Sequence, residues 1–128
     1  MRKFSVFVLA LAGLGFLGFG LWLLVDPAGG LAGVGIAATT AAGLVELRAF
    51  YGGLEVGLGL FLLICAARPD WRTPGLWLVV LANLAIGLTR LYGIGDSGAF
   101  NNFFAAALAW EFGFPAMAAI ALMGNRNR

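Results

Sequence analysis

Residues 46–67 read ELRAFYGGLEVGLGLFLLICAA. From Val56 onward the stretch carries no charge and no period-two alternation, and leucine, isoleucine and phenylalanine dominate it. That pattern fits a helix able to dissolve in lipid, which needs about 20 predominantly apolar residues. Yet Glu46, Arg48 and Glu55 sit within or beside it. A membrane reading of this stretch therefore decides the fold and raises the question of what its ionisable groups do.

Composition agrees with a membrane. The chain of 128 residues is 62% hydrophobic and 11% charged, with a mean hydropathy of +0.96. Soluble domains carry about 25% charged residues, and a water-soluble fold of this composition would expose large apolar patches. The expectation is an all-α integral membrane four-helix bundle forming a single transmembrane domain over residues 1–128. There is one cysteine and no histidine. An intrachain disulfide is excluded, and so are His-ligated haem and His-based metal or triad chemistry. Cys65, among Leu63, Ile64 and Ala66, reads as a small buried apolar side chain. Nothing in the pattern calls for a cofactor or a metal.

Working outward, residues 4–25 form an uncharged run about 33 Å long as a helix at 1.5 Å per residue. This spans a hydrocarbon core, whereas a cleaved leader would have a shorter apolar region. Asp26-Pro27 closes it. Residues 28–45 are uncharged but rich in glycine and alanine, and read as an interfacial or re-entrant segment. The second span is expected at about 47–67. The turn ARPDWRTP follows, with Pro74 suited to the first turn of the next helix. The third span is expected at about 74–93, closed by GIGDSG, and the fourth at about 103–123, capped through Asn101-Asn102.

Arg2, Lys3, Arg68, Arg72, Arg126 and Arg128 fall at the N-terminus, the middle loop and the C-terminus, while Asp26 and Asp96 mark the other side. By the positive-inside rule both termini are cytoplasmic. A nucleic-acid partner would require a contiguous basic stripe, which is missing.

The polar residues inside the spans carry the functional content. At 100° per residue Arg48, Tyr51, Gly52, Glu55 and Gly59 fall on one helix face. Gly53 and Gly57 form a small-xxx-small pair suited to close helix approach. Counting rises along the helices puts Glu55, Glu111 and Arg90 in the same outer half of the membrane, with Asn83 two turns below Arg90. An ionisable group at a helix centre costs about 2.5–3.5 kcal/mol on the insertion scale, so such groups face an interior or a cavity and find partners. The cluster Arg48, Tyr51, Glu55, Asn83, Arg90 and Glu111 admits three readings. The glutamates pair with arginines as structural bolts, or the cluster lines a binding cavity, or one glutamate belongs to a proton path. Gly13-Leu14-Gly15-Phe16-Leu17-Gly18 matches a dinucleotide fingerprint by letter only, because no strand precedes it.

The segments RAFYGG…E and TRLYG, within ELRAFYGGLEVGLGLFLL and GLTRLYGIGDSG, resemble the bacterial family called domain of unknown function 4345 over essentially the whole chain. The resemblance implies four transmembrane helices in a bacterial inner membrane and no established activity. GGLEVGLGLFLL is more distantly similar to the DoxX-like group of small four-helix membrane proteins, some of which are linked to membrane redox complexes. The expected role is binding of a small, lipidic or quinone-like ligand, with membrane lipid around it, or service as an accessory subunit or homo-oligomer. A membrane enzyme on a lipidic substrate with a glutamate acid/base, and a proton-coupled small transporter, are the alternatives.

Overall fold

Three helix starts are set by local side-chain caps. Asp26 closes α1 (Arg2–Val25) and opens α2 (Pro27–Ala32), its Oδ1 accepting from the Gly29 N–H at 2.9 Å with Pro27 in the first turn. Thr40 opens α3 (Ala41–Leu47), its Oγ1 accepting from the Gly43 N–H at 3.0 Å. Asn101 Oδ1 accepts from the Phe104 N–H at 2.8 Å and starts α6 (Asn102–Arg126). These side-chain oxygens satisfy N–H groups that the first helical turn leaves without partners.

The computed structural model describes residues 1–126 and is all-helical, with no strand among them; Arg128 lies outside the described residues. α3 passes directly into a π-helical turn, Arg48–Gly53, then α4 (Leu54–Ala67). A short 3₁₀ turn, Pro69–Trp71, leads to α5 (Arg72–Ser97). Four helical stretches are long and apolar enough to cross a membrane: Arg2–Val25, Ala41–Ala67, Pro69–Ser97 and Asn102–Asn125. The second begins at Ala41 rather than 47, because the Thr40 cap starts the helix earlier than its charges indicate. The third outlasts residue 93 and ends at Ser97, where Gly98 adopts φ 71° and its N–H donates to the Ile94 carbonyl at 2.8 Å. The two glycines inside GIGDSG stay helical, and only the last one terminates the helix.

The chain divides into two compact units, Ala10–Ile64 and Met1–Leu9 with Cys65–Arg128. In the first, α1 runs antiparallel to the π turn and α4 along a glycine seam. A Cβ on Gly20 would lie 2.7 Å from the Val56 nitrogen and 2.9 Å from the Gly52 carbonyl oxygen. One on Gly59 would lie 2.8 Å from the Gly13 carbonyl oxygen, and one on Gly52 would press into Leu24 at 2.9 Å. Gly53 and Gly57, expected to make this contact, instead have nothing within 4 Å. Gly52 and Gly59, seven residues apart, share one face at 100° per residue, and α1 packs on that face rather than on the neighbouring one that carries Gly53 and Gly57.

In the second unit α5 and α6 pack against each other. Asn125 Nδ2 donates to Ser5 Oγ at 3.3 Å, Met1 fills the space beside Gly124, and Gly75 admits Cys65 and Leu9. Both helical chain ends and the start of α5 thus meet at one end of this unit.

Candidate functional site

The polar residues on α5 lie along one face: Asn83, then Gly87, then Arg90 one turn farther. Gly87 is buried and allows α6 to come close, since a Cβ there would lie 3.1 Å from Glu111 Cβ and 3.0 Å from the Phe112 ring. That approach brings the Glu111 carboxylate onto the Arg90 guanidinium. Nε donates to Oε1 and Oε2, each at 3.0 Å, and Nη2 donates to Oε1 at 2.7 Å. Glu111 is only 5% exposed. A charge-assisted, forked pair of this kind is among the stronger side-chain contacts and also fixes orientation.

The surroundings leave part of the guanidinium free. Nη1 makes no hydrogen bond among the described residues, and the Arg90 side chain keeps 23% exposure. Phe103 and Phe104, in the first turn of α6, each place a ring centroid 5.6 Å from the Arg90 Cζ. Their faces attract the cation without consuming its N–H groups. Arg90 lies about 10 Å from the α5 terminus at 1.5 Å per residue. One turn beyond Glu111, Pro115 interrupts α6 and has no N–H to give to the Glu111 carbonyl. Neither the phenylalanines nor the proline featured among the expected site residues, although all three lie within eight residues of Glu111 on the same helix.

Asn83 lies near the middle of α5 and is 1% exposed. Its Nδ2 donates to the Val79 carbonyl at 2.8 Å, while its buried Oδ1 accepts from nothing. An acceptor left bare in an apolar interior costs about 1–3 kcal/mol, and such groups call for an explanation.

Arg48, Tyr51 and Glu55 belong to the other unit. Arg48 and Tyr51 lie in the π turn and are exposed, Tyr51 at 38%; Glu55, in the first turn of α4, is half-buried. Among the described residues Glu55 has no hydrogen bond or ion pair, so of the two glutamates considered for pairing with arginine only Glu111 is paired. A 3.6-residue period carried through a π turn places Arg48 and Tyr51 on the wrong side of the helix. The structure thus brings Arg90 and Glu111 together, sets Asn83 on the same α5 face, and leaves Glu55 alone within its unit. Glu46 is exposed, and no group of three His, Cys, Asp or Glu among the described residues is placed to hold a metal ion.

A family model described as Domain of unknown function (DUF4345) matches residues 4–122. No curated protein and no solved structure matches the chain.

Proposed function

We propose that this chain, which belongs to the Domain of unknown function (DUF4345) family, is a multi-pass protein of a bacterial inner membrane that binds a small or lipidic ligand at Arg90. The observation that carries the reading is a guanidinium held at one edge by Glu111 and bare at the other. A fixed, partly desolvated N–H pair facing apolar surroundings suits a carbonyl or anionic oxygen, such as that of a quinone or a lipid head. Phe103 and Phe104 give the same site an apolar wall for the body of the ligand. Asn83 Oδ1 offers an acceptor to a hydroxyl or a water along the same face. Glu111 acts here as the positioning residue for Arg90, and the forked pairing leaves it poorly placed to serve as a general acid or base.

Both termini and the 68–72 turn face the cytoplasm in this proposal, so the Arg90 end of α5 lies toward the outer leaflet. The test is native mass spectrometry of protein purified in a mild detergent, comparing the wild type with Arg90→Lys. Lysine keeps the charge beside Glu111 but loses the fork. The expected result is a bound small molecule that the variant loses at least tenfold; equal occupancy would overturn the assignment.

Glu55 supports a second reading, a proton-coupled transporter, because a half-buried carboxyl without a partner in an apolar helix is costly to keep. Glu55→Gln would then abolish pH-driven uptake in proteoliposomes while leaving the fold intact, and unchanged uptake would remove this reading.

A further inference from the structure

The unit Ala10–Ile64 carries a groove of about 390 Å³ between α2, the following loop and α3, with Leu31, Ile36, Leu44 and Leu47 on its aliphatic side and Thr39 and Thr40 giving it a polar edge. Its volume falls within the usual range for small-molecule sites, about 300–1,000 Å³. No charged residue lines it. It lies where α1 ends and the next membrane-length helix begins, Arg2–Val25 and Ala41–Ala67 being the two spans on either side. In a bilayer crossed by those two stretches, this is the level at which acyl chains give way to headgroups.

Arg48 follows the groove wall directly. Its backbone N–H donates to the Leu44 and Val45 carbonyls, so it sits one turn beyond Leu44 on a continuous helix. Long side chains on a helix lean back toward the N-terminus and over the preceding turn. The Arg48 stem therefore leans toward Leu44, with its charged end free to rise to the headgroups. Arg48 is exposed, and no ion pair engages it among the described residues. The nearby acids do not compete for the same anion. Asp26 is engaged in capping Gly29, and Glu46 lies two positions back, nearly opposite on the helix.

We infer that this groove is a phospholipid site, in which one acyl chain occupies the apolar cleft and the headgroup phosphate meets Arg48. This goes beyond the ligand at Arg90 and draws only on residues of its own unit. A largely aliphatic groove with an unpaired arginine one turn beyond its Leu44 wall is complementary to a molecule with a long hydrocarbon and a phosphodiester, and arginine is suited to fork a phosphate.

The experiment is delipidation of the full-length protein in detergent, followed by titration with phosphatidylglycerol and with diacylglycerol under native mass spectrometry. Wild type, Arg48→Ala, Leu44→Trp and Lys3→Ala are compared, with thermal melts confirming that each is folded. Wild type and Lys3→Ala are expected to hold one phospholipid, while Arg48→Ala weakens binding about tenfold and Leu44→Trp, which fills the cleft, about as much. Diacylglycerol, which lacks the phosphate, should bind no better to wild type than to Arg48→Ala. Equal phospholipid binding by wild type and Arg48→Ala shows annular lipid only and overturns the site. So does diacylglycerol binding that matches phospholipid binding. Arg48→Ala is exposed and keeps the proposal testable should Leu44→Trp fail to fold.

Discussion

Arg90 meets Glu111 side-on, with Nε 3.0 Å from both carboxylate oxygens and Nη2 2.7 Å from Oε1. This contact couples the last third of α5 to the middle of α6. It also decides which guanidinium N–H groups remain for a ligand. The glycine at position 87 eases this geometry, since a Cβ there would lie 3.0 Å from the Phe112 ring and 3.1 Å from Glu111 Cβ and would push one of them aside by a few tenths of an ångström.

Removing one partner strands the other. Glu111→Ala is expected to cost about 3–5 kcal/mol, because it leaves an uncompensated charge in an apolar setting. Arg90→Ala removes a partly exposed group but strands the more buried carboxylate, and should cost a similar amount. Arg90→Met combined with Glu111→Leu should recover most of the loss. Unfolding in mixed micelles measures all three; additive losses in the double variant would refute a coupled pair.

The glycine seam predicts a split among four glycines of one helix. Gly52→Ala and Gly59→Ala force a methyl group into α1 and are expected to destabilise by about 1–3 kcal/mol. Gly53→Ala and Gly57→Ala meet open space and should be neutral or stabilising by up to about 1 kcal/mol, through helix propensity alone. Equal losses at all four positions in thermal melts would contradict the seam.

Asn83 separates stability from binding. Asn83→Leu removes a buried bare acceptor and should hold stability within about 1 kcal/mol or raise it. Asn83→Asp places a charge near a helix centre and should cost about 2.5–3.5 kcal/mol. A large loss on Asn83→Leu, measured in the same micelles, would show that Oδ1 has a structural partner.

Topology is tested with single cysteines in a Cys65→Ser background. Asp96→Cys is expected to react with an impermeant maleimide on intact spheroplasts, and Asp70→Cys only after lysis. The reverse pattern would invert the protein.

Much of the fold was legible because long apolar runs and local caps are properties of short stretches. The Asn101 cap and the end of the first helix at Asp26-Pro27 depend on neighbours in sequence, and the structure uses both. The start at Ala41 was missed because Thr40 looked like part of a glycine- and alanine-rich surface segment. The common level of Arg90 and Glu111 followed from depth in antiparallel helices, which rise per residue fixes well, whereas which arginine meets which glutamate depends on helix rotation and was not legible. Rotation was harder to read. A π turn at Arg48–Gly53 has no strong residue signature, and small-xxx-small spacing at Gly53 and Gly57 did not reveal that α1 packs on the face of Gly52 and Gly59 instead. Pairs of glycines two turns apart, Gly13 with Gly20 and Gly52 with Gly59, were the available clue. Phe103 and Phe104 read as ordinary membrane aromatics, and only the geometry shows their rings around a cation.

The most direct test is nitrogen-15 NMR of the arginine side chains, with Arg90 assigned by its loss in Arg90→Lys, recorded with the co-purified small molecule present and after its removal. The account predicts that the Arg90 Nη1 resonance moves on removal while Nε, engaged by Glu111, stays in place. An unchanged Nη1, or an Nε that moves equally, would contradict a ligand at the free edge of Arg90.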